Sequence, residues 1–177
     1  MKTLSMLVAT AVALAACTPM EVTTPPIMVT PTVASKAVGI DVYAVDRARG
    51  NPVPSFRGQK TVPVRANGKL TGGGFGELSG VPCTADAGVY SASFLTPANL
   101  NVPDYGPSSP SIFVRCVLDD RSGSVTVDAV NFTAQQRQSS AIGTGILGAI
   151  IIGAVAASKR DDQNDDFKYP PIAVSIK

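Results

Sequence analysis

From residue 38 onward, short runs of β-branched and aromatic residues alternate with Gly- and Pro-bearing turn signals. That punctuation restricts the chain to a set of short strands. The candidate strand runs are 38–45 (VGIDVYAV), 60–65 (KTVPVR), 89–94 (VYSASF), 111–118 (SIFVRCVL) and 124–132 (SVTVDAVNF). Between them lie Gly50-Asn51-Pro52, Asn67-Gly68, Gly72-Gly73-Gly74, Ala87-Gly88, the Pro107-to-Pro110 segment and the Asp120-to-Gly123 segment. The pattern predicts a mainly β chain built as a small antiparallel β-sandwich.

The N-terminus has a different character. Met1-Lys2-Thr3 is a short positive lead, and 4–16 (LSMLVATAVALAA) is small and apolar. The run is too short for a mature transmembrane helix and has the layout of a secretory signal. It ends Leu14-Ala15-Ala16-Cys17, which resembles the lipobox of bacterial lipoprotein signals. That resemblance implies diacylation of Cys17, removal of residues 1–16 and acylation of the new amine. The residue chemistry agrees. Small residues let a peptidase approach the backbone, and a thiol accepts a diacylglyceryl group. Two or three acyl chains anchor stably, at about 0.8 kcal/mol per buried methylene. Thr18 follows the cysteine. In well-studied Gram-negative systems, an Asp there retains the protein in the inner membrane. Its absence points to the outer membrane, facing the periplasm, over the inner membrane.

Residues 17–37 follow as a Pro- and Thr-rich tether. Pro19, Pro25, Pro26 and Pro31 oppose helix and remove ladder donors. An extended spacer at about 3 Å per residue would hold the folded part some tens of Å from the bilayer. Val22, Ile27, Val29 and Val33 also leave room for part of the segment to lie on the domain or on a partner.

With Cys17 assigned to lipid, Cys83 and Cys116 remain inside the expected sandwich, 38–133. In an exported chain two leftover cysteines are expected to pair. A redox or metal pair is disfavoured by the lack of CxxC spacing and of any His.

The stretches Gly80 to Thr84, Tyr90 to Pro97 and Ile112 to Cys116 resemble a loosely defined group of small proteobacterial lipoproteins. So do the glycine-rich segment from Ser140 to Gly153 and the Tyr169-Pro170-Pro171 lead into Ile172 to Ile176. Members share a Cys, a Thr-Pro strand end and a second Cys in a short PEGA-like β-domain, then a glycine-zipper segment and a Tyr-Pro final strand. The resemblance covers roughly the last hundred residues. The group has no established activity, so it speaks to architecture more than to function.

Residues 141–157 (AIGTGILGAIIIGAVAA) carry no charge. They predict one glycine-rich apolar helix near the C-terminus, within 134–160. As a helix the run is about 25 Å long, marginal for a hydrocarbon core of about 30 Å. Gly143, Gly148 and Gly153 recur every five residues, and Gly145 adds a small-residue pair with Ala149. Small residues let helices pack closely where lipid surrounds them. Three readings compete: a helix in or on the membrane, a helix packing with copies or a partner, and a buried core helix. The apolar character on all faces weakens the last. Residues 161–177 complete the chain as a polar loop and a final strand expected to return to the sandwich. Asp161, Asp162, Asp165 and Asp166 lack the alternation of a calcium loop and read as a solvated loop.

The chain has no His and no Trp, and its net charge is +2. Without His, a Ser-His-Asp or Cys-His site is excluded, and so is the commonest metal ligand. The small charge, with no clustered basic face, argues against nucleic acid. Asp119-Asp120 reads as a turn, and the Gly72-to-Gly76 run lacks the Lys and Ser/Thr of a phosphate loop. The expectation is a non-catalytic structural or assembly lipoprotein of the bacterial cell envelope, with no metal and no cofactor. Its expected partners are the membrane, through the anchor and the 141–157 helix, and either copies of itself or an envelope complex. The alternatives are an accessory subunit of an outer-membrane machine (secretion, flagellar or surface-fibre apparatus) and a periplasmic glycan- or peptide-binding module.

Overall fold

The computed structural model describes residues 19–142 and 161–177. The chain opens with two short strands, β1 (Ile27–Met28) and β2 (Thr30–Pro31), then a short helix α1 (Ala44–Ala48). The body follows as β3 (Gln59–Lys69), β4 (Phe75–Leu78), β5 (Pro82–Asp86), β6 (Tyr90–Leu95), β7 (Ala98–Pro103), β8 (Ile112–Leu118) and β9 (Arg121–Val127). After β10 (Val130–Asn131) comes helix α2 (Phe132–Ile142), and the C-terminus supplies β11 (Phe167–Lys168) and β12 (Ile172–Ile176).

The strands form two five-stranded sheets. The first runs β1-β7-β3-β12, with β4 also paired to β3; the second runs β2-β6-β5-β8-β9. The hairpin-connected pairs are antiparallel, whereas β12 lies parallel to β3 and β1 parallel to β7. Period-2 alternation turns one face of each sheet inward. Val62, Val64, Ala66, Leu100, Val102, Ile172 and Val174 meet Ala85, Tyr90, Ile112 and Val114 of the opposite sheet, all buried. Each such large apolar side chain stabilises the fold by about 1.5–3 kcal/mol when removed from water. The result is the expected mainly β, antiparallel two-sheet fold with a Cys83–Cys116 disulfide.

Neither sheet closes on itself, but the two meet at both corners. At one corner, Val29 sits between β1 and β2, 3% exposed. Its N–H donates to the Asn101 carbonyl (3.2 Å), and the Thr32 N–H donates to the Val89 carbonyl (2.9 Å). Of the two readings left open for the tether, the one in which part of it lies on the domain holds over residues 27–32, which are stitched to both sheets. The reason is the apolar side chain it buries, which prolines flanking a strand do not prevent. At the other corner, Ser122 and Lys177 exchange backbone hydrogen bonds of 3.3 and 3.2 Å, tying β9 to the residue after β12. The final strand thus returns to the sandwich, and its ladder begins at Ile172.

Several local expectations differ from the structure. Residues 38–45 do not form a strand. Val38 and Asp41 make an isolated bridge, and the chain then enters α1. The Asp41 carboxylate accepts the Tyr43 N–H (3.2 Å) and so gives the backbone a turn in place of a ladder. Asn67-Gly68, read as a turn, lies inside β3, where neighbouring strands run on both sides of it. Gly123, read as the end of a turn, lies inside β9; the hairpin loop is Asp119-Asp120 alone. Helix α2 starts at Phe132, two residues before the expected 134. Asn131 caps it, its side-chain oxygen accepting the Ala134 N–H at 2.8 Å. Gly143, Gly145, Gly148 and Gly153, and most of the 141–157 helix, lie outside the described residues. No helix among the described residues is long and apolar enough to cross a membrane.

Candidate interaction surfaces

Three features of the folded body carry chemistry or surface suited to contact. The first is the disulfide. Cys83 on β5 and Cys116 on β8 face each other across an antiparallel ladder, both buried, with Cα atoms 4.1 Å apart. It locks the centre of the second sheet from within.

The second is the outer face of that sheet. Register places two rows across β6, β5, β8 and β9, Ser93–Thr84–Arg115–Ser124 and Ser91–Asp86–Phe113–Thr126, with the pairs Leu95–Pro82 and Val117–Ser122 beyond them. Leu95, Phe113 and Val117 are exposed on it. An open depression of about 520 Å³ lies along β5, β6 and β8, with Leu95, Val117 and Arg115 at its lining. The face combines apolar side chains, a row of hydroxyls and one cation. It can hold an apolar or hydroxyl-rich partner.

The third is a polar seam where the 161–166 loop returns to the body. The Lys60 ammonium sits 2.7 Å from Asp166 and 3.7 Å from Asp104. The Arg57 guanidinium donates to the carbonyls of Asp162 and Asp165. The Asp165 side chain is fully covered. Its carboxylate accepts from Asn131 Nδ2 (2.7 Å) and the Asp161 N–H (2.9 Å), and pairs with Arg137 (2.7 Å). The loop read as solvated is thus pinned by one buried carboxylate, which binds Asn131 and Arg137 from well upstream and the Asp161 N–H of the loop itself. Among the described residues, no three His, Cys, Asp or Glu side chains gather as a metal set.

Further along the body, Asp41 binds the Arg47 guanidinium at 2.6 and 3.3 Å and accepts the Tyr105 hydroxyl at 3.2 Å. The Val42 N–H in turn donates to Tyr105 Oη at 2.8 Å. Burial pushes the Tyr105, Tyr90 and Tyr169 phenols up, so they stay neutral. Tyr169 donates to the Pro110 carbonyl, which leaves Tyr90 to donate to Tyr169.

These contacts set a pH dependence. For Asp41 and Asp166 burial opposes the charge, yet their cationic and hydrogen-bonded partners hold both carboxyls below the usual range. Asp165 is also lowered, first by Asn131 and then by the Asp161 N–H. A carboxyl depressed in the folded state contributes stability that is present above its unfolded value and lost as pH falls through its folded value. Denaturant midpoints are therefore expected to hold near neutrality and fall below about pH 4. Equal midpoints at neutral and strongly acidic pH would contradict these pairings.

Of the residues singled out from sequence, the structure brings Cys83 and Cys116 together; Cys17 lies outside the described residues. Sequence reading missed the outer-face set Leu95, Phe113, Arg115 and Val117, although the alternation of 112–118 carried the signal for three of them. It also missed the seam of Arg57, Lys60, Asn131 and Asp165, whose members lie too far apart in the chain to show a pattern. No protein-family model, curated protein or solved structure matches the chain.

Proposed function

We propose that this protein is an acyl-anchored structural or assembly lipoprotein of the bacterial cell envelope, acting through contact and not through bond-making. The observation that carries it is the Leu14-Ala15-Ala16-Cys17 sequence at the end of a charged-then-apolar leader. A structural disulfide in so small a fold supports it, because such bonds form in oxidising compartments outside the cytosol. The resemblance to small proteobacterial lipoproteins supports it too. In this reading Cys17 holds the chain at the outer membrane, facing the periplasm. The two-sheet body makes the contacts, and the glycine-rich 141–157 helix inserts or associates with copies or a partner. The alternative to it is an accessory subunit of an outer-membrane machine.

Radiolabelled palmitate fed to cells is expected to label the wild-type chain, and Cys17→Ala is expected to abolish the label. A wild type that takes no label, or a Cys17→Ala variant that takes as much, would end this reading.

A second reading, a periplasmic glycan- or peptide-binding module, is favoured by the depression beside Leu95, Arg115 and Val117. A monomer that binds glycan saturably would select it, whereas an oligomer that survives detergent would select the first.

A further inference from the structure

We infer that the tip of the β3–β4 hairpin is a second membrane contact, in which Phe75 and Leu70 rest in the lipid interface beside the acyl anchor. The inference rests on the reading that Cys17 is acylated and adds where on the body the bilayer lies.

The geometry begins at Met20. The Met20 N–H donates to Glu77 Oε2 at 2.9 Å, and its carbonyl accepts from Arg65 Nη1 at 2.8 Å. Arg65 and Glu77 are themselves paired across β3 and β4. The chain is thus clamped to this hairpin three residues after Cys17. Three residues span at most about 10 Å. The acyl chains must leave the protein within that distance of the hairpin, whatever path residues 17–19 take. A bilayer holding those chains then lies next to the same hairpin.

The tip has the composition for that position. Residues 69–75 are all exposed, and among them Phe75 is 68% and Leu70 38% exposed. Met20, at the clamp, is 39% exposed. Phe75 pairs with Lys69 at the end of the ladder, and the Leu70 N–H donates to the Gly74 carbonyl to close the loop. Gly73 and Gly74 have φ of 91° and 82°, a turn that residues with a Cβ rarely adopt. The loop therefore presents two large apolar side chains on a bare glycine turn, with no side chain on those glycines to shield them. Each leaves apolar surface in water that the interface would bury in lipid. Lys69, and Arg121, which donates to the Lys69 carbonyl (3.1 Å), stand where phosphate headgroups would be. Asp119 and Asp120 occupy the turn that precedes Arg121, so apolar burial, more than charge, holds the tip.

The chain contains no Trp, so Phe75→Trp installs a single fluorophore at an exposed position. The acylated full-length mature protein, extracted from cells fed labelled palmitate, is reconstituted into phosphatidylethanolamine–phosphatidylglycerol vesicles with brominated acyl chains. Indole emission from the Phe75→Trp protein is expected to shift to the blue and fall about two-fold relative to unbrominated vesicles, as for a ring at the interface. Leu70→Trp is expected to behave alike. Phe113→Trp is the control: Phe113 is 44% exposed on the outer face of the second sheet, at the opposite end of β8 from the Asp119-Asp120 turn. That variant is expected to show no quenching. Palmitate-labelled protein whose emission is unquenched in both Phe75→Trp and Leu70→Trp overturns the hairpin contact and leaves the anchor standing. Quenching in Phe113→Trp equal to that in Phe75→Trp overturns it too. Absence of palmitate label overturns the anchor, and the hairpin contact with it.

Discussion

Gly123→Ala is expected to destabilise the protein on the order of 3 kcal/mol. A Cβ at Gly123 would lie 2.1 Å from the Ser175 carbonyl oxygen and 2.8 Å from its carbon. Both atoms are backbone of β12, so no side-chain rotation relieves the clash. The strand itself must withdraw. Withdrawal strains the parallel ladder to β3 and the Ser122–Lys177 hydrogen bonds that join the two sheets at this corner. The measurement is denaturant unfolding of the chain beside Ser124→Ala, which changes an exposed side chain on the same strand. If both substitutions shift the midpoint equally, β9 and β12 do not approach as described.

Loss of the Cys83–Cys116 bond is the second large effect. The bond closes a loop of sequence separation 33. On the chain-entropy model such a loop contributes about 3–4 kcal/mol by restricting the unfolded chain. Cys83→Ala with Cys116→Ala also leaves a gap at the centre of β5 and β8, where both residues are buried. For a body of this size the combined loss is expected to lower Tm on the order of 10 °C. Reductant applied to the wild type is expected to lower Tm as well, by the part that the covalent link supplies, once both thiols titrate as free. A Tm that stays constant while the thiols become reactive would show that the covalent link carries no stability.

The two effects differ in how far they could be read from the chain alone. Two cysteines in a His-free chain whose leader reads as a secretory signal point to a disulfide without any structure, because residue chemistry leaves few other uses in an oxidising compartment. The role of Gly123 was invisible. A glycine between Ser122 and Ser124 reads as part of a turn, and only the arrival of β12 from the far end of the chain makes it a place where backbone approaches backbone. Val29 is similar. Prolines around it signal an extended tether, correctly for the local backbone, but its burial depends on β6 and β7 offering hydrogen-bonding edges.

Strand content followed from period-2 alternation where it was strong, as in β8 and β9. It failed at β5 and β7, whose sequences PCTAD and ANLNVP carry little β propensity and are held by neighbours on both sides. The converse error at 38–45 has the converse cause. The propensity was there, but the Asp41 side chain, with Tyr43, Arg47 and Tyr105, recruits the backbone into a turn and a helix.

Local chemistry thus accounts for the strand class and the cysteine pair, since each depends on residue type and short-range spacing. Tertiary contact decided which strands share a sheet, how the two sheets join at their corners, which aspartate of the 161–166 loop is buried and which hairpin lies beside Met20. Those outcomes depend on partners far apart in the chain, whose pairing energies arise only after the chain has folded back upon itself.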